Sequence, residues 1–555
     1  MSQDKKNGFI MQAGILAAAG IIVRIIGILY RSPLVAIIGD EGNGYYNTAY
    51  NIYTIILLIS SYSIPAALSK VIAQRLALKE YRNADRIFKC SFIYVIIVGG
   101  AGSLVCYFGA GWLVGASSAT VLRVFAPTIF FSGILGVLRG YFQAHSSMLQ
   151  TSLSQIIEQI LNAGVSILAA FLLMKTVAAA DATTQAIYGA IGSALGTGSG
   201  VIIALLFMWL VYLLNGSLFK KRIARDNHEN ELSYGEIFKI IICMVTPVVL
   251  STFIYNLSTS SNLKIYQEFM QYFRNFTEKD ATTGYGLFSG KAMQIVNIPI
   301  ALASAMSAAI IPTIARTYEK KDYRDTRRRI AKAIKVTMLI SIPSAVGLFV
   351  LAKPITLLLY PQRATVDTVA SLIRVLSITV VFYGLSTLSN AVLQGTGKVN
   401  IPVMNAAAAL FIQSGILVAL LIYTDLDLYA LCIATISYSF LMCLFNQIAI
   451  RKHLKYHQEM MRTFLLPFVA SIWMGLAAGG TYYGIVYLVR VISQDMEAEV
   501  TKLQNVMYLA AALVIAVLIY FILVIKLGVV SKKELQSMPK GTVLLRIAGR
   551  LHLIH

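Results

Sequence analysis

Apolar runs of roughly 20 residues recur about fourteen times along this chain, and that recurrence restricts it to a bundle of membrane-spanning helices. A hydrocarbon core is crossed only by helices or closed barrels, because away from water every backbone N–H and C=O must be satisfied within the protein. The runs lie near 10–38, 45–72, 90–114, 120–143, 151–175, 185–214, 237–266, 283–313, 334–358, 367–393, 401–422, 428–450, 463–488 and 505–528. With 57% hydrophobic and 13% charged residues and a mean hydropathy of +0.71, the composition excludes an ordinary soluble globule. The expected fold is all-α and polytopic.

The net charge of +22 belongs to topology. Cations gather in alternate connections, at Arg75 to Lys89, Lys220 to Arg225, Arg316 to Arg329, Arg451 to Lys455, and Lys532 to Arg550, whereas one intervening connection carries Asp495, Glu497 and Glu499. The positive-inside rule then places both termini and all the basic connections in the cytoplasm, as an even number of spans requires. A nucleic-acid partner is not needed to explain the charge.

Other motifs resolve into structural features. Lys5 and Lys6 precede an apolar stretch too long for a signal-peptide core, so it reads as a retained first helix. The five cysteines lie in or beside spans without CxxC spacing, and read as packing residues. His453 and His457 have a metal-ligand spacing but no partnering acid, and Gly395-Thr396-Gly397-Lys398 lacks the first glycine and the hydroxyl of a phosphate loop. Neither a metal, an organic cofactor nor an ATP motif is implied.

The first span carries a costly feature. Arg24 and Arg31 lie seven residues apart, and each arginine in hydrocarbon costs roughly 2.5 to 3.5 kcal/mol unless it faces a polar interior. Almost two helical turns separate them, so they share one stripe suited to an anion.

The two halves of the chain repeat each other. Val71-Ile72-Ala73 through Arg86 matches Thr313-Ile314-Ala315 through Arg328, roughly 240 residues on. Arg123, Thr128, Gly133 and Gln143 recur as Arg374, Thr379, Gly384 and Gln394. The expected organisation is two pseudo-symmetric six-helix lobes, 1–226 and 227–456, followed by helices 13 and 14 in 457–530 and a basic amphipathic cytoplasmic tail, 531–555. Each lobe holds an even number of spans, so the repeat is parallel and the cleft between the lobes is the expected site.

Two six-helix lobes with two trailing helices resemble the multidrug/oligosaccharidyl-lipid/polysaccharide exporter superfamily. Leu138-Arg139-Gly140-Tyr141-Phe142-Gln143, then Ser154-Gln155-Ile156-Ile157-Glu158-Gln159, together with Arg24-Ile25-Ile26-Gly27, resemble its stage V sporulation protein B branch, a cousin of the lipid II flippases. The resemblance covers essentially the whole chain. It implies a non-enzymatic exporter of the bacterial cytoplasmic membrane, moving an undecaprenyl-pyrophosphate-linked glycan from the inner to the outer leaflet by alternating access. The flippases carry an acidic-basic pair on the eighth helix where this chain has Gly290-Lys291, which leaves the glycan open.

On this reading Arg24, Arg31 and Lys291 line the cleft and bind the pyrophosphate, the alternative being helix-to-helix contacts or snorkelling. Glu158, with Gln155 beside it, is expected to pair with a cavity cation, carry a coupling proton or complete a polar network. Asn256, Asn262 and Lys264 make the seventh span polar, for a cation or sugar or for close packing. Arg123 and Arg374 read as interface anchors. Lipids and the lipid-linked glycan are the expected partners, with coupling to membrane potential or an ion gradient. The rivals are a multidrug or metabolite cation antiporter of the same fold, which needs intramembrane acids, and a membrane-embedded glycosyltransferase, which needs a positioned base.

Overall fold

The computed structural model describes residues 3–62, 64–145, 147–224, 226, 231–360, 362–495, 497 and 499–530. The expected basic tail, 531–555, lies outside the described residues. Packing divides the chain into Met1–Gly286 and Leu287–His555. The first unit holds α1 (Gln3–Leu57), α2 (Ile64–Ala77), α3 (Tyr81–Phe108), α4 (Ala110–Leu113), α5 (Ala116–Ala144), α6 (Met148–Thr176), α7 (Ala182–Leu214), α8 (Gly216–Ala224), α9 (Tyr234–Tyr272) and α10 (Glu278–Tyr285). The second holds α11 (Met293–Glu319), α12 (Tyr323–Val350), α13 (Ala352–Leu359), α14 (Val366–Leu376), α15 (Thr379–Gly395), α16 (Asn400–Tyr423), α17 (Leu428–Leu454), α18 (Leu466–Ile492) and α19 (Lys502–Lys526).

Every apolar run falls on helix. Among the described residues 10 helices are long and apolar enough to cross a membrane, or 11 if the bent pair Arg363–Leu376 and Thr379–Gly395 is one span, against the roughly fourteen runs of the sequence. Part of that difference is α1. Its backbone turns at Gly39, at φ 70° and ψ −176°, so the first two runs are joined by a kink instead of a loop. Glycine tolerates that left-handed conformation, and Pro33 lies less than two turns earlier.

Two close contacts fix the interior of the first unit. Along α7, Gly192, Gly196 and Gly200 recur every fourth residue on the face that meets α6. A Cβ at Gly192 or Gly196 would overlap Ala170 or Ser166, and one at Gly200 would lie 2.5 Å from the carbonyl oxygen of Glu158. Small residues at this spacing let two membrane helices approach backbone to backbone. Gly140, inside the Arg139–Gln143 motif, brings α5 against α2, where a Cβ would lie 3.0 Å from the Pro65 carbonyl oxygen. Tyr141 packs its ring at a tilt against Phe88 (ring centroids 4.1 Å apart) and His145 (4.5 Å) and edge-on against Phe219 of α8 (5.0 Å). The motif is thus a packing hub apart from its arginine.

The sequence repeat is visible in the backbone. Lys79 and Lys321 both adopt positive φ, 64° and 58°, in the turns before α3 and α12. The two helices begin differently, however. Asp322 caps α12 by accepting the Asp325 N–H at 3.0 Å. Glu80 instead accepts from Arg75 at 3.0 Å and from Asn83 at 3.1 Å, and the Arg82 N–H of α3 goes to Asp226 at 2.7 Å.

In the second unit, buried Ile330, Ile334 and Met338 of α12 pack with Leu388 and Val392 of α15 and Ile450 of α17. The trailing helices are tied to this core. Tyr482 of α18 donates to Asn505 of α19 at 2.6 Å, Asn505 donates to the Pro354 carbonyl at 3.0 Å, and Tyr520 to the Leu339 carbonyl at 2.9 Å. The Gly395–Lys398 motif ends α15: Gly397 takes φ 79°, and the Lys398 N–H reaches the Leu393 carbonyl at 2.9 Å. Cys90, Cys106, Cys432 and Cys443 are buried and Cys243 is exposed, all as free thiols.

Candidate functional site: a polar seam in the first unit

The stripe of α1 that carries Arg24 and Arg31 also carries Gly27, and a Cβ there would lie 3.3 Å from Gln159 Nε2 of α6. The arginine stripe therefore borders α6. Arg24 is exposed and Arg31 half-buried. Arg31 lies within electrostatic range of Tyr46, whose ring stacks on Tyr50 at 5.6 Å, while Tyr53 stacks on Phe125 at 4.7 Å.

Further along α6 the seam is ionic. Arg139 of α5 donates through Nη2 to Glu158 Oε2 at 2.7 Å and through Nε to Ser154 Oγ at 2.9 Å, and Ser154 donates to the Thr151 carbonyl at 2.7 Å. The Arg139 side chain is 14% exposed and that of Glu158 30%. A charge-assisted bond of this length in a partly desolvated setting is strong, and it fixes the rotamers of both residues. Gln155 is half-buried one turn before Glu158. One turn after it Asn162 accepts from Ser166 at 3.0 Å and from Thr197 at 3.4 Å. Tertiary packing thus brings the arginine stripe, the Arg139–Glu158 pair and the Asn162 bonds to the one helix α6.

The polar residues of α9 are placed elsewhere. Asn256 is half-buried and Asn262 buried. Lys264 is exposed, donates to the Trp112 carbonyl at 3.2 Å and lies 3.4 Å from Glu268. Nearby, Gln267 donates to Thr48 and Thr282, each at 3.2 Å, and Tyr285 donates to the Thr259 carbonyl at 3.3 Å. This half of α9 is thereby knitted to α1 and α10.

In the second unit Lys291 sits in the π-helical turn Gly286–Ala292 and is 0% exposed. Its ammonium donates to Gln362 at 3.3 Å and Thr365 at 3.2 Å and lies 5.2 Å from the centroid of the Tyr360 ring. The lysine is enclosed by the loop between α13 and α14. Arg374 stands on the wall of a cleft of about 1160 Å³ whose other walls are nearly all apolar, including Phe349 of α12, Ile378 just before α15, Val381 of α15, and Phe468 and Leu476 of α18. Arg123, its counterpart, is exposed. Among the described residues no group of three or more His, Cys, Asp or Glu is placed to hold a metal ion.

Arg139 enters the sequence pattern only as a motif residue, with no place in the site. Opposite charges on consecutive antiparallel spans joined by a short connection were the available signal.

Comparison with known proteins agrees with this architecture. The chain is 24% identical over 535 residues to the lipid II flippase MurJ of Bacillus subtilis (strain 168), covering 91% of this chain and 93% of that one. It is 23% identical over 553 residues to stage V sporulation protein B of the same organism, covering 98% and 99%. Among solved structures it matches a MATE family multidrug resistance transporter in an inward-facing conformation, with TM-score 0.65 and 16% identity over 80% of this chain and 98% of that one. It also matches lipid II flippase MurJ in an inward closed conformation, with TM-score 0.64 and 14% identity over 92% and 97%. These structural likenesses establish a shared polytopic fold, and the profile of the lipid II flippase MurJ family matches residues 86–494; the chain belongs to that family.

Proposed function

We propose that this protein is a flippase that carries an undecaprenyl-pyrophosphate-linked glycan from the inner to the outer leaflet of the bacterial cytoplasmic membrane by alternating access. The observation that carries the reading is the cationic stripe Arg24–Arg31 lying along α6 inside the first unit. A pyrophosphate cannot enter hydrocarbon without compensating charge, and the planar fork of arginine suits phosphate oxygens. Family membership supplies the independent support. Both termini lie in the cytoplasm on this reading, which rests on the alternation of basic connections.

Arg24 and Arg31 bind the pyrophosphate, while the Lys291 ammonium is engaged by Gln362 and Thr365 of its own unit. The polar half of α9 serves packing against α1 and α10. The isoprenoid tail stays in lipid. No covalent step is needed. If two negative charges move outward, an inside-negative potential favours the step by roughly 4 to 5 kcal/mol per 100 mV. A cation antiporter would need an accessible intramembrane carboxylate, and the Glu158 carboxylate is held by Arg139.

Complementation tests the substrate. Cells depleted of their essential lipid II flippase are expected to grow when this protein is expressed. Lack of growth with correctly inserted protein would remove lipid II and leave another polyprenyl-linked glycan as the cargo.

A further inference from the structure

The two repeats build one helix joint with different chemistry. The displacement of 251 residues that carries Arg123 onto Arg374 carries Arg139 onto Asn390 and Ser154 onto Asn405. In the first repeat the joint is ionic, with Arg139 bridging to Ser154 and Glu158. In the second it is a ladder of amides: Asn405 donates to Asn446 at 2.9 Å, and Asn446 donates to Asn390 at 2.7 Å. Asn446 is fully buried, and Gln447 adds a bond to Ser389 at 2.9 Å.

The second repeat therefore holds these equivalent positions without charge, through Asn446 of α17, and has Ala409 where the first repeat has Glu158. An ion pair in a low-dielectric setting repays its desolvation poorly compared with neutral partners, so packing does not account for the charges of the first repeat. The surroundings of Glu158 are also suited to exchange. From α5 it faces Arg139. From α1 it faces the buried Tyr53, within electrostatic range, and the Arg24–Gly27–Arg31 stripe passes beside the next residue, Gln159. Its own helix offers Ser154, and α7 presents the backbone of Gly200. The pair is partly exposed, which the amide Asn446 is not.

We propose that Glu158 is the displaceable counter-ion of Arg139. When a pyrophosphate headgroup reaches the Arg24–Arg31 stripe, the Arg139 guanidinium exchanges the Glu158 carboxylate for phosphate oxygens, and the released carboxylate takes one proton from cytoplasmic water to become a neutral acid. The proton comes from hydronium or buffer acid, whose conjugate base stays in solution, and no other bond forms or breaks. Anion binding and proton uptake are then linked at one joint, and the loaded protein carries one negative charge fewer than the headgroup brings. This inference rests on the pyrophosphate reading above.

The test uses the full chain in lipid nanodiscs, with farnesyl pyrophosphate as the probe. Calorimetry in buffers of different ionisation enthalpy, between about pH 6 and pH 8, counts the protons taken up on binding. Wild type is expected to take up about one proton more than E158Q, and its affinity to rise by up to about tenfold per pH unit on acidification relative to that variant. R139N/E158Q, which replaces the ion pair by amides, gives a second neutral joint and is expected to match E158Q in proton count. Equal proton counts in wild type and both variants, with the probe bound, would overturn the exchange alone. No binding of the probe by wild type at any pH would overturn the exchange together with the pyrophosphate reading.

Discussion

Asp226 accepts the backbone N–H of Arg82 at 2.7 Å, so a residue from the connection between the two sequence repeats closes the N-terminus of α3. Asp226 is 4% exposed. Its neighbourhood is pinned further: the Leu232 N–H goes to Asn83 at 2.9 Å, and Arg86 holds both the Leu232 carbonyl at 3.1 Å and the Glu231 carboxylate. Loss of a cap costs about 0.5 to 2 kcal/mol. Asp226→Ala is expected to destabilise the fold by an amount in that range, read as a lower unfolding midpoint, and Asp322→Ala, which removes the native cap of α12, by a similar one. An unchanged midpoint for Asp226→Ala, read by thermal denaturation in detergent, would show that α3 does not depend on the connection.

The glycine seam makes a graded prediction. Gly196→Ala forces a methyl into Ser166 and is expected to abolish stable insertion, whereas Gly164→Ala meets nothing within 4 Å and gains up to about 1 kcal/mol from helix propensity. Expression and monodispersity of the two variants, compared side by side, decide the matter. Tolerance of both would mean that α6 and α7 are not in backbone contact.

Lys291 holds its loop through Gln362 and Thr365. Lys291→Met keeps the volume and removes the charge, and the half-buried Gln362 and Thr365 can turn to water, so global stability is expected to change little. Amide exchange in residues 362–365 should quicken by about tenfold, the equivalent of one lost charge-assisted bond. Unaltered exchange would show that the loop is held by other contacts.

Asp181 caps α7 by accepting the Thr184 hydroxyl at 2.6 Å and the Thr184 N–H at 3.1 Å, and these bonds, the hydroxyl first, hold its carboxyl below the usual range. A depressed acid stabilises the fold above its unfolded pKa and loses that contribution as pH falls through the folded value. The unfolding midpoint of wild type should therefore drop more than that of Asp181→Asn below about pH 4. Parallel curves for the two proteins would count against the cap.

The membrane class, the helical runs and the repeat were legible because each is a local or periodic property of the chain. The positive φ shared by Lys79 and Lys321 shows how far the repeat extends into the backbone. The kink at Gly39 was less visible, since an apolar run reads alike whether it is straight or broken. Arg139 and Glu158 meet only because α5 and α6 run antiparallel, and their pairing depends on side-chain reach. Asp226 lies far in sequence from the helix it caps. Lys291 was expected in a cleft because a lysine in a span is costly; the loop that encloses it comes some 70 residues later, at Gln362 and Thr365.

The most direct measurement is translocation of lipid II in proteoliposomes, comparing wild type with Arg24→Ala and Arg24→Lys at matched incorporation. Wild type is expected to expose the headgroup at the far leaflet, Arg24→Ala to lose at least about tenfold in rate, the equivalent of one charge-assisted phosphate contact, and Arg24→Lys to fall between them. Translocation by Arg24→Ala at the wild-type rate would contradict a pyrophosphate site on α1.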